Sequence, residues 1–108
     1  MTSEYCIAMT TLEDADSASR LARALVEARL AACVQQVHIR STFSWEGAVE
    51  DASEVLVLMK TRTGVYERLQ QFVCDNHPYD VPEILQIPVT AGYGPYLSWV
   101  NDNTTATI

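Results

Sequence analysis

Residues 34–60 read VQQVHIRSTFSWEGAVEDASEVLVLMK, and their period decides how the rest of the chain must fold. From 34 to 45 the side chains alternate, with β-branched and aromatic residues enriched, which is the pattern of a strand. Glu46-Gly47 supplies a turn signal, and residues 49–60 run on as a second strand. The two runs make one hairpin, each arm spanning ~40 Å at the usual rise of a strand.

After the hairpin, Thr63 is placed to cap a helix whose apolar stripe is Val65, Tyr66, Leu69, Phe72 and Val73. Cys74 falls opposite that stripe. His77-Pro78 ends the helix, because proline lacks a donor and disfavours helical geometry in the residue before it. Residues 83–89 (EILQIPV) alternate again as a fourth strand, and Pro88 confines it to an edge or a strand end. Residues 91–100 (AGYGPYLSWV) open on a glycine-proline turn and close in a short helix, while the tail NDNTTATI reads as polar and frayed.

Before the hairpin, residues 5–11 (YCIAMTT) form the first strand. The acids of LEDAD then suit a helix start over residues 16–30. Ala18, Leu21, Ala22 and Leu25 make its buried stripe, with Arg20, Arg23 and Glu27 turned away.

The order β-α-β-β-α-β predicts an α+β, ferredoxin-like domain over residues 1–108. Such a domain is an antiparallel sheet with two helices on one face, here with a long central hairpin and a short C-terminal helix. The helix over 63–76 spans only ~20 Å, about half the reach of the hairpin. The distal half would leave Phe43, Trp45 and Val49 on a bare two-stranded ribbon, which is marginal in water and prone to associate. We therefore expect an obligate homo-oligomer.

Of 108 residues, 48% are hydrophobic, ample for one core, and 14 acids against 7 bases give a net charge of −7. That field repels phosphate backbones and anionic surfaces, so neither nucleic acid nor membrane is expected as a partner. The longest apolar run, VLVLM, is far shorter than the ~20 residues of a membrane helix. MTSEYC lacks the basic start and apolar stretch of a secretion signal, so a soluble cytoplasmic protein is expected. Cys6, Cys33 and Cys74 show no CxxC spacing and predict neither a disulfide framework nor a zinc knuckle. There is no HExxH, GxSxG or P-loop, and Gly92-x-Gly94 lacks a third glycine; neither catalysis nor an organic cofactor is expected.

Residues 77–84, HPYDVPEI, admit two readings. In one, the prolines only stop a helix and start a strand. In the other, a loop clamped by two prolines presents His77, Asp80 and Glu83 to a ligand at little entropic cost. Elsewhere, the aromatics Trp45, Tyr93, Tyr96 and Trp99 would form a concave pocket if they met Lys60 and Glu83 at a subunit boundary, or would act as interface glue. Glu46, Glu50, Asp51 and Glu54 read as a solvated rim near the hairpin tip. Met9 offers a thioether suited to Cu(I), although its central strand also fits a core role.

The segments ARLAACV (28–34), STFSWEGAVED (41–51), EVLVLMKT (54–61), HPYDVPEIL (77–85) and GYGPYLSWV (92–100) carry a resemblance. The chain resembles the CutA divalent-cation tolerance family over nearly its whole length. That resemblance implies a ferredoxin-like fold, a homotrimer whose hairpins pair across subunits, and a structural likeness to the trimeric PII signalling proteins. It also implies tolerance of divalent metals and weak binding of copper or similar ions. Copper in the family is linked to a strand-one cysteine and a His-His pair before the proline; the matching positions here are Met9 and Asn76-His77. Phe43 stands where members commonly have tyrosine. An intersubunit pocket of the PII-like kind would draw on Trp45, Lys60, Tyr79, Glu83, Tyr93, Tyr96 and Trp99.

Overall fold

The computed structural model describes residues 3–105. The elements are β1 (Tyr5–Leu12), α1 (Ala15–Glu27), β2 (Cys33–Trp45), β3 (Ala48–Arg62), α2 (Tyr66–Asn76), β4 (Ile84–Val89) and α3 (Gly94–Asp102). They arrive in the expected order. The sheet runs β2-β3-β1-β4 with every neighbour antiparallel, so β4 is an edge strand and tolerates Pro88 without losing a central ladder bond.

Helix α1 starts where the Asp14 carboxylate accepts the Ser17 N–H at 2.7 Å. It ends in a Schellman turn, with Leu30 N–H donating to Leu25 O and Arg29 N–H to Val26 O. Arg29 takes the left-handed position there, at φ 60°, that glycine usually fills. Thr63 does not cap α2 as the sequence suggests. It opens a 3-10 turn (Thr63–Val65), and its hydroxyl donates to Ser3 O. The tail is not frayed either, within the described residues. Arg29 donates to Asp102 O and Thr105 Oγ1, Arg62 to Thr104 Oγ1 and O, and Arg68 to Thr105 O. Three guanidiniums, from the α1–β2 turn, β3 and α2, thus hold the end of α3 and the segment after it; residues 106–108 lie outside the described chain.

The period of two sorts the sheet into two faces. Ala8, Thr10 and Leu12 of β1 with Val55, Val57 and Met59 of β3 point toward α1 and α2, where Leu21, Leu25, Leu69 and Val73 complete a closed core. The other face carries Ile7 and Met9, Leu56 and Leu58, and Leu85 and Ile87 in adjoining register. On β2 the apolar residues beyond Val34, which packs against the core, lie on this second face. Register puts Gln36 and His38 on the helix side, and Val37, Ile39, Phe43 and Trp45 on the side away from the helices. Met9 is therefore half-buried on the uncovered face and not part of the helix-backed core.

The hairpin overreaches as its length requires. Glu46 at φ 48° and Gly47 at φ 81° make the tight two-residue turn. β1 accompanies β3 only from Val55 to Arg62, so residues 48–54 pair with β2 alone. That free ribbon projects ~23 Å and carries Trp45 at 61% and Val49 at 77% exposure.

Candidate functional site

The loop HPYDVPEI is built around His77. α2 ends at Asn76, and His77 turns extended at φ −95°, ψ 137°, as a residue before proline must. Its Nε2 lies 2.7 Å from Thr11 O, a carbonyl on the β4 side of β1 just past the last β1–β4 pair. A carbonyl only accepts, so Nε2 carries the proton. Nδ1 in turn accepts the Tyr79 N–H at 3.1 Å. Both ring nitrogens are thus spent within the fold, and the rings of His77 and Tyr79 meet edge to face at 4.8 Å. A metal reaches Nδ1 only by displacing the Tyr79 amide. No three His, Cys, Asp or Glu side chains gather into a metal-holding group among the described residues.

Tyr79 extends this corner to the base of the hairpin, where its hydroxyl donates to Glu54 Oε2 at 3.2 Å. Glu54 is half-buried here, unlike the solvated rim formed by Glu46, Glu50 and Asp51. Nothing local in the sequence marks this contact, since 25 residues separate the partners. Burial, with the Glu54 carboxylate beside it, pushes the Tyr79 phenol up to about 12. The fold therefore favours the neutral phenol. Its contribution is intact below the ordinary tyrosine range near ~10 and is lost as the pH rises toward about 12. Urea unfolding of wild type and Tyr79→Phe across that interval should show wild type losing stability faster.

The remaining predicted pocket residues divide between separate places. Lys60, Tyr96 and part of α3 meet at one end of the uncovered face. There Tyr5, Cys6, Ile7, Thr61, Val89, Leu97 and Val100 help line a small apolar cavity of about 130 Å³. Lys60 Nζ donates to Gln35 Oε1, and Tyr96 stacks on Trp99 at 5.6 Å. Burial raises the Tyr96 phenol, with the Cys33 thiol next to it, and burial likewise raises the Cys6 thiol. Tyr93 is 76% exposed at the start of α3. Glu83 is exposed just before β4, at the level of Thr11, ~13 Å along the strands from the Lys60 rung. Trp45, at the hairpin turn, is ~20 Å beyond Glu54 along β3. One protomer therefore holds these residues as an α3 group around Lys60, a Tyr79–Glu54 corner, and a tip bearing Trp45. His77 and Met9 do not share a cluster, since the imidazole meets the backbone of Thr11 while the thioether lies on the uncovered face.

Residues 6–103 match the CutA1 divalent ion tolerance protein family. The chain is 43% identical to Protein CutA of Mus musculus over 98 residues, covering 90% of this chain and 55% of that one. It is 40% identical to the divalent-cation tolerance protein CutA of Thermus thermophilus, covering 91% of this chain and 96% of that one. The chain spans about half the length of the mouse, Arabidopsis thaliana and human relatives, at 54–55% of each. Among solved structures, CutA1 from Shewanella sp. SIB1 superposes with a TM-score of 0.92 at 42% identity, covering 96% of this chain and 98% of that one. CutA1 from Oryza sativa gives 0.94 at 34% identity, covering 98% of each. The four-stranded antiparallel sheet, its helices and the match over residues 6–103 all agree: this chain belongs to the CutA1 divalent ion tolerance family.

Proposed function

We propose that the protein serves divalent-cation tolerance as a homotrimer that binds copper or a similar ion weakly and catalyses no reaction. The observation that carries this reading is the family match over residues 6–103. Assembly is supported by the uncovered apolar face and by the projecting ribbon, both of which a second copy of the chain would bury. Imidazole and thioether are ligands suited to copper, which favours His77 and Met9 as donors acting separately, since one protomer does not bring them together. Weak affinity follows from the engaged nitrogens of His77, because an incoming ion competes with the Tyr79 N–H. Titration of Cu(I), Cu(II) and Zn(II) into wild type, His77→Ala and Met9→Leu tests the assignment. Each variant should lose copper uptake, and uptake equal to wild type would remove that residue from the site.

A second reading, a PII-like sensor or adaptor with an intersubunit pocket, draws on the cavity between Lys60 and Tyr96. That cavity opens at the end of the face where neighbouring copies would meet. A partner's hairpin tip would bring in Trp45, which one protomer alone holds far away. A screen of small metabolites and nucleotides by thermal shift separates the two readings, since a specific ligand raises stability by mass action.

A further inference from the structure

A second concavity lies on the helix side of the molecule, between α1 and the end of α2. It is a groove of about 570 Å³ lined by Leu12, Ser17, Arg20, Leu21, Ala24, Asp75, Asn76, His77 and Pro78. Its volume falls in the range of roughly 300–1,000 Å³ usual for small-molecule sites. The floor is apolar, with Leu12 and Leu21 almost fully buried. The walls carry opposite charges. Arg20 stands on α1, and among the described residues its guanidinium donates only to Ser17 Oγ, at 3.3 Å. Asp75 stands on α2, and one of its oxygens accepts from Gln71. The two do not pair with each other; the salt bridge formed among the described residues is Arg40–Asp51. Asp14 feels the Arg20 charge while its Oδ1 accepts the Ser17 N–H, so a ligand carboxylate would share Arg20 with it. Asn76 gives its side-chain N–H to Phe72 O, which leaves its amide oxygen free to accept. His77 lines the groove with both nitrogens already bonded, so it contributes shape and no donor.

We propose that this groove binds a small zwitterion of the α-amino acid class. Its carboxylate would lie against Arg20 and Ser17, its ammonium against Asp75 and the Asn76 carbonyl oxygen, and an aliphatic side chain on Leu12, Leu21 and Ala24. A separated cation and anion on facing walls favour a ligand that carries both charges over one that carries either. Charge-assisted contacts at each end set its orientation, and the floor selects for an apolar middle. The contacts proposed for the zwitterion use neither Met9 nor a histidine nitrogen, although His77, a donor in the metal reading, shapes one wall of the groove.

Equilibrium dialysis of the intact protein against radiolabelled L-leucine tests the proposal. Millimolar leucine should be retained. Unlabelled leucine should displace it, whereas 4-methylpentanoate and 3-methylbutylamine, each lacking one charge, should compete poorly. Arg20→Gln and Asp75→Asn lie on exposed helix surface and should fold normally, as circular dichroism would verify. Each should lower retention by about tenfold, the scale of one charge-assisted contact. No retention by wild type, equal competition by either single-charge analogue, or undiminished retention in both variants would overturn the assignment.

Discussion

Replacing Leu58 by aspartate should turn the assembled protein into a species near 12.0 kDa, as read by light scattering at micromolar concentration, while wild type scatters as a multiple of that mass. Leu58 is at the centre of the uncovered face, flanked in register by Gln35 and Met9, with Leu85 on the next strand. In an isolated protomer the position is half-exposed, and a carboxylate there would be hydrated at little cost. In an assembly the same carboxylate is enclosed without a partner, at several kcal/mol per ion, of order ~5 for each copy. The variant therefore distinguishes a face made for water from a face made for another copy. Unchanged mass in Leu58→Asp, or a wild type that is monomeric throughout, would refute assembly through this face.

His77→Ala should destabilise the fold by about 2–3 kcal/mol, measured by urea unfolding at fixed protein concentration. The change leaves Thr11 O and the Tyr79 N–H unpaired and removes the edge-to-face contact with Tyr79. His38→Ala is the control. His38 is exposed, so its loss should fall within ~0.5 kcal/mol. Matching small effects at both positions would mean that the hydrogen bonds of His77 contribute little. A reading of His77 as ligand alone predicts that the variant keeps its stability without metal. The hydrogen-bonded geometry predicts the loss with or without metal.

The sequence by itself determined the hairpin, the element order and which residues of each strand share a face. These follow from period and turn chemistry, which are local: alternation from 34 to 45, Glu46-Gly47, and the helical stripe of Leu21 and Leu25. The reach of the hairpin was also legible, since it follows from rise per residue. Only the tertiary structure decided what His77 does, because its partner is a carbonyl 66 residues earlier, left open where β4 stops pairing. In the same way it joined Tyr79 to Glu54, set three arginines on the tail that composition marks as frayed, and divided the presumed aromatic pocket among separate sites. A residue's period records which side of its own element it faces. The groups it meets there come from other elements, and those are settled when the elements pack.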